Sequence, residues 1–310
     1  MAETTLREIP AAAKPALLRP PRSLWSDAWH QFRRHRLAMG GVVVFSLLTL
    51  ATLLGPYVYT VRIDNIDFTQ SLTGPSLAHP FGTDDLGRDL LARCLQGGRI
   101  SIAVGVAAML IAMTLGTLIG SIAGFFARAD SPLMRVTDLF IALPTLPLLL
   151  LVIFLFRDPL RAALGPVAGI FILTVVVIGM LNWMPVARLV RAAFLSLKQR
   201  EFVQAARSVG VPDGRLIFRH ILPNALSPVL VAATLAVGAA IITESALSFL
   251  GLGFPPDEPT WGRLLNDAQQ FLDIAPHLAI FPGLLIFLAV ISINYIGDGL
   301  RDALDPRKTG

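Results

Sequence analysis

The stretch "ISIAVGVAAMLIAMTLGTLIGSIAGFFA", residues 100–127, runs for 28 residues without a charge. As a helix it would reach about 42 Å at 1.5 Å per residue, more than the roughly 30 Å of a bilayer's hydrocarbon core. Five further stretches read the same way: 37–61, 133–156, 162–187, 221–243 and 274–297. Only Arg135 and Asp138, in the first turns of the third span, and His277, in the sixth, interrupt them. Such runs are too long for barrel strands and lack strict alternation. The expectation is an all-α membrane protein with six transmembrane helices, in keeping with a chain that is 54% hydrophobic and only 15% charged.

Lysine and arginine orient the spans, because they collect on the cytosolic side. With the N-terminus inside, 19 of the 26 basic residues fall on inner segments and 7 on outer ones. Both termini are therefore expected in the cytosol. The net charge of +5 reflects that asymmetry, not nucleic-acid binding. The first apolar run begins after 36 residues and is long enough to stay as a span, so no cleaved leader is expected. Cys94 is the single cysteine, which excludes an intrachain disulfide and points to a buried or inert thiol. The organisation expected is a cytosolic tail (1–36), a first span (37–61) and an external loop (62–99). A five-helix core (100–300) containing a cytosolic loop at 188–224 and a short tail (301–310) complete it.

Local patterns add detail. Residues 1–22 carry four prolines and several charges and read as a loose tail. Trp25, Trp29 and Phe32 then recur at helical spacing with basic residues following, which suits either a helix lying on the membrane surface or a continuation of the first span. Asp84 and Asp85 precede a short helical pattern at 86–95 and are expected to cap it; two adjacent carboxylates without further ligands do not make a metal site. Ala108, Ala112, Gly116, Gly120 and Gly124 place a small residue every fourth position, a stripe that lets another helix approach, within this chain or from a partner subunit. Pro144, Pro147 and Pro185 are expected to break helices at membrane depth, as around a translocation path. In the outer segment 251–276, Pro259 suits the start of a short helix, expected across the outer mouth.

Several activities are excluded by what is missing. None of Lys14, Lys198 or Lys308 follows a glycine, so there is no phosphate-binding loop and the chain is not expected to hydrolyse ATP. The five histidines (His30, His35, His79, His220, His277) show no zinc-site spacing, and no GxSxG elbow occurs. The chain is not expected to be an enzyme or to hold a metal. Glu244 is the ionisable residue that interrupts the fifth span on its outer side; it either lines a path that favours cationic groups or anchors two helices by hydrogen bonds. For Asp138 a local ion pair with Arg135 is expected.

Between the fourth and fifth spans lies a charged stretch, "EFVQAARSVGVPDGRLIFRHILPN", residues 201–224. Phe202, Ala205, Ala206 and Val209 share one helical face. Gly210 suits the left-handed position that ends a helix, Pro212 prevents continuation, and Asp213-Gly214 makes a turn. Residues 215–222 then form a second short helix, stopped by Pro223 before the fifth span. Such an apolar and basic piece fits either a partner protein's groove or lipid headgroups.

The same loop resembles the EAA signature of ABC importer permeases, in which Glu-Ala-Ala is followed at fixed spacing by Gly and by Ile-x-Leu-Pro. Gln204-Ala205-Ala206, Gly210 and Leu222-Pro223 hold the matching positions, with Gln204 in place of Glu and His220 in place of Ile. "HPFGTDDLGRDLLARCLQGGRIS", "RHILPNALSPVLV" and "ESALSFLGLGFPPDEPTWGRLL" are similar to the C-type permease of dipeptide, oligopeptide and nickel importers, in the same order. The resemblance implies a type I importer permease in the bacterial inner membrane. It implies as partners a homologous B-type permease, two cytosolic ATPases that bind the ATP and magnesium, and an external solute-binding protein. In that setting Gln204, Ala205, Ala206, Gly210, Pro212, Asp213, Arg215, Phe218, Arg219, His220, Leu222 and Pro223 would couple to the ATPases. Short peptides are the expected cargo, with nickel or another small solute as the alternative. A proton-coupled transporter using Glu244, or a scaffold without transport, leaves the 201–223 loop without a purpose.

Overall fold

The computed structural model describes residues 24–304. Expectations for the tails and for the Trp25 side chain fall outside the residues described. The described chain is helical, with one isolated β-bridge, Thr83 to Asp89. Five helices are long and apolar enough to cross a membrane, and a bent pair supplies the sixth span.

Helix α1 (Leu24–Arg34) is separate from α2 (Arg36–Val58), so it does not continue the first span. His35 adopts an extended backbone and its ring accepts from the Ala38 N–H at 3.1 Å, capping α2. Ala28 and Phe32 bury against Ala38 and Ala303, while Trp29 stays exposed with Arg33 5.0 Å from its ring centre. The amphipathic helix is thus partly a brace against the last span.

The short helix expected at 86–95 and the span expected at 100–127 are one helix, α3 (Leu90–Phe125). Asp89 caps it, accepting from Ala92 N–H at 2.7 Å. Asp84 does not cap a helix. It closes the preceding turn, accepting from the N–H groups of Leu86 (3.0 Å) and Arg88 (2.9 Å). Gly87, in the left-handed region with φ +73°, makes that turn tight enough to delay the helix: a Cβ there would sit 1.9 Å from the Asp67 carbonyl oxygen.

The third span is two helices, α4 (Ala127–Ala142) and α5 (Thr145–Leu164), bent by 86°. Pro144 accounts for the break: it lacks an N–H and drives Leu143 to extended geometry (φ −75°, ψ 139°). The other two prolines break nothing. Pro147 lies in the first turn of α5, where N–H groups have no helical partner anyway, and Pro185 lies inside an unbroken α6 (Pro166–Leu197).

Helices α3 and α6 form the main seam, and the small-residue stripe makes it. A Cβ on Gly116 would lie 2.5 Å from Val186, on Gly120 2.5 Å from the Ala187 carbonyl, and on Gly124 2.5 Å from Phe194. Ala108 and Ala112 are buried on the same face. The stripe therefore packs within this chain, where backbone proximity replaces the hydrophobic driving force that lipid does not provide.

The remaining elements are α7 (Glu201–Ser208), α8 (Asp213–Arg215), α9 (Leu222–Phe249), α10 (Trp261–Ala268) and α11 (His277–Ala303). Thr260 caps α10, accepting from Arg263 N–H at 3.2 Å, so Pro259 precedes the cap and does not open the helix. Trp261 is fully enclosed between α3, α9 and α11.

Candidate functional site: the cytosolic loop and the outer hub

Helix α7 ends as its sequence predicts. Gly210 has φ +80°, its N–H reaches the Arg207 carbonyl at 3.0 Å, and the Val211 N–H reaches the Ala206 carbonyl at 3.2 Å. That pair of bonds is the Schellman closure, with Val211 and Ala206 packed in the same apolar cluster.

The face that α7 buries differs from the one the spacing suggests. Val203 is buried and Ala206 partly so, whereas Phe202 is 44% and Val209 80% exposed and Ala205 also points outward. The deciding contact is tertiary: Val203 seats against a cluster of Phe125, Val190, Phe194, Leu216 and Ile221. Lys198 fixes this loop to the end of α3, donating to the Phe125 carbonyl at 2.6 Å. Gln204 turns back to donate to the Lys198 carbonyl at 2.9 Å.

Pro223 does not stop the next helix. Residues Leu216–Ile221 form a π-turn between α8 and α9, and the Leu222 N–H bonds five residues back to the Ile217 carbonyl. The wider turn tolerates the missing Pro223 N–H and its ring, which a regular α-turn would not. Residues 213–249 are consequently one continuous rod, about 55 Å long at 1.5 Å per residue. At its base Leu216 and Ile221 are buried. Arg215, Arg219 and Phe218, the last 69% exposed, share the opposite face, with Pro212 and Asp213 exposed just before it. His220 is half-buried, as is Leu222. A groove of about 610 Å³ opens beside the base, lined by Met113, Thr117, Ser121, Phe218, Leu222 and Val229 among others.

At the outer end of the rod Glu244 is fully buried and does not interrupt α9. Its carboxylate accepts from Ser101 Oγ on α3 at 2.9 Å and from Ser248 Oγ at 2.7 Å. Ser101 Oγ accepts in turn from the Trp261 N–H at 3.3 Å, and Trp261 Nε1 donates to the Cys94 carbonyl at 3.0 Å. Ser248 was legible as the residue one turn beyond Glu244; Ser101 and Trp261, far away in the chain, were not.

Asp138 pairs with Arg188 of α6, not with Arg135, and Arg191 of α6 holds Asp130 by two bonds. These pairs tie the inner end of α4 to α6. On the outer side Asp84 takes Arg88 Nε at 2.7 Å and faces Arg93 at 3.7 Å, while Asp267 faces Arg93 at 3.6 Å and Arg263 at 3.0 Å. Burial pushes the Asp267 carboxyl up from its usual range, against the pull of Arg263 and Arg93. Asp89 also takes the Tyr59 hydroxyl at 2.8 Å. Among the described residues no three His, Cys, Asp or Glu side chains are grouped to hold a metal.

Comparison with known proteins places this arrangement. The family model for "Binding-protein-dependent transport system inner membrane component" matches residues 116–310, and that for the "N-terminal TM domain of oligopeptide transport permease C" matches residues 23–80. A dipeptide transport system permease protein of Alkalihalophilus pseudofirmus is 40% identical over 92% of this chain and 90% of its own length. A glutathione transport system permease protein of Pectobacterium atrosepticum is 39% identical over 92% of each. A putative peptide permease protein of Brucella suis is 43% identical over 90% of this chain and 89% of its own. Among solved structures, an inward-facing MetNI methionine ABC transporter chain aligns with TM-score 0.56 at 17% identity, covering 70% of this chain and 96% of that one.

Proposed function

We infer the role of this chain from its family: it belongs to the binding-protein-dependent transport system inner membrane components, and is a multi-pass permease of the bacterial inner membrane. The cargo we assign is short peptides, dipeptides or peptides of glutathione size, because the relatives matched over nine-tenths of the chain are named for dipeptide, glutathione and peptide transport. The permease would pair with a homologous B-type permease, receive cargo from an external solute-binding protein, and be driven by two cytosolic ATPases that hold the ATP and magnesium.

The observation that carries the ATPase partnership is the outward face of residues 201–219. Phe202, Val209 and Phe218 expose large apolar surface beside Arg215 and Arg219, on the side that the basic residues assign to the cytosol. Aromatic groups in such a setting are the usual anchors of a protein interface. Gly210 and the buried Val203 hold the loop's shape, so Gln204, Ala205, Ala206, Pro212, Asp213, His220, Leu222 and Pro223 act by setting that face as much as by contact. ATP-driven closure of the ATPases would shift the loop and bias the spans between outward and inward access.

The test is gentle purification of the tagged chain from its native membrane, followed by mass spectrometry and peptide uptake in proteoliposomes. Copurifying ATPases and a second permease, lost when residues 215–222 are scrambled in a chain that still reaches the membrane, support the reading. ATP-independent uptake under a proton gradient by the chain alone would overturn it. Uptake of nickel but not of di- or tripeptides would overturn the cargo assignment while leaving the importer intact.

A further inference from the structure

The rod of residues 213–249 is gripped at both ends, by different chemistry. Its base is seated by Leu216 and Ile221 in the apolar cluster that also takes Val203 of the cytosolic loop. Near its outer end the Glu244 carboxylate bonds to Ser101 of α3 (2.9 Å), and Ser101 bonds to the first N–H of α10 at Trp261 (3.3 Å). One carboxylate and one hydroxyl therefore join the rod, the longest helix of the seam and the outer helix.

There is no slack at this junction. A Cβ on Gly262 would lie 2.3 Å from the Ser245 carbonyl oxygen, and one on Gly98 2.7 Å from the Trp261 ring. Among the described residues no basic side chain makes an ion pair with Glu244. If the junction served packing alone, an apolar residue of similar volume would do it without the cost of a buried carboxyl. What a carboxylate adds is two directed hydrogen bonds, one to its own helix and one across to α3.

We propose that Glu244 is a positioning residue that carries movement of the cytosolic loop into the outer helix α10, through Ser101 and Trp261. This rests on the importer reading above. A continuous hydrogen-bonded helix shifts as a body, and a close-packed junction passes on a shift instead of absorbing it. The coupling is reciprocal, so a partner settling on α10 would bias the loop by the same free energy with which the loop biases α10.

The test uses the complex purified with its own partner subunits. Cys94 is the chain's single cysteine and is buried, so Gln270→Cys adds one exposed thiol just beyond α10. Maleimide labelling of this chain is timed without nucleotide and with Mg-ATP plus vanadate. The two rates are expected to differ in the unsubstituted background. The difference is expected to vanish in Glu244→Ala and Ser101→Ala and to survive in Glu244→Gln, whose amide serves both hydroxyls; basal ATP hydrolysis persists in all three. If Glu244→Ala fails to assemble, Ser101→Ala decides, because it leaves Glu244 bonded to Ser248. A nucleotide-dependent difference that persists in Ser101→Ala overturns the proposal, as does its absence at Gln270 in the unsubstituted complex or its loss in Glu244→Gln. A complex with no ATP hydrolysis at all would instead overturn the importer reading beneath it.

Discussion

The two ends of the 213–249 rod invert the usual rule of inside and outside. The cytosolic end leaves Phe218, and on the adjoining loop Phe202 and Val209, in the open, while the outer end encloses Glu244, Ser101 and Ser248. Exposed apolar groups on this charged loop suit a surface that a partner covers, since nothing among the described residues covers them. Enclosed polar groups mark a junction that is already joined, because the Ser101 and Ser248 hydroxyls and both carboxylate oxygens have partners. The difference predicts that damage at the outer end is read as lost stability, and damage at the inner end as lost association.

The largest effect expected is Trp261→Ala, at the outer end. Removing an indole from a closed site costs about 3–5 kcal/mol. It should lower the unfolding midpoint of the detergent-solubilised chain sharply, and an unchanged midpoint would break the comparison. Phe218→Ala comes next and should act the other way round. The midpoint should hold, while affinity for the ATPase subunits falls by about 2 kcal/mol, roughly thirtyfold, as for a central aromatic anchor.

Gly210→Val tests whether shape or surface matters at the inner end. A Cβ there would meet nothing within 4 Å, so its whole effect is the left-handed backbone, about 1–2 kcal/mol. Peptide uptake should drop with membrane expression intact; normal uptake would show that the loop tolerates a different closure. The smallest effect is Ser248→Ala, which removes one bond to Glu244 and should cost about 1 kcal/mol in the same unfolding assay. No change there would mean that the carboxylate is satisfied without Ser248.

Much of this was legible along the chain because it is local. Gly210 read correctly as a left-handed cap, since neighbours within four residues of it make every bond involved. Pro144 read correctly as a break for the same reason. The failures share a cause as well. Phe202 and Val203 are adjacent, and only the cluster around Phe194 decides which one turns inward. Asp138 has Arg135 one turn away but pairs with Arg188, 50 residues on.

By itself, then, the sequence determined the number and sense of the spans, because charge-free length and basic-residue bias are properties of a segment in lipid and need no neighbours. It also determined where the cytosolic loop lies and how its first helix ends. Tertiary structure alone decided that the small-residue stripe of α3 closes on α6 within the chain, that a π-turn lets the helix run through Pro223 into one rod, and that Glu244 meets Ser101 and Ser248 in a closed hub. Those outcomes depend on contacts between residues distant in the chain or on accommodations of backbone geometry, which composition and spacing leave free.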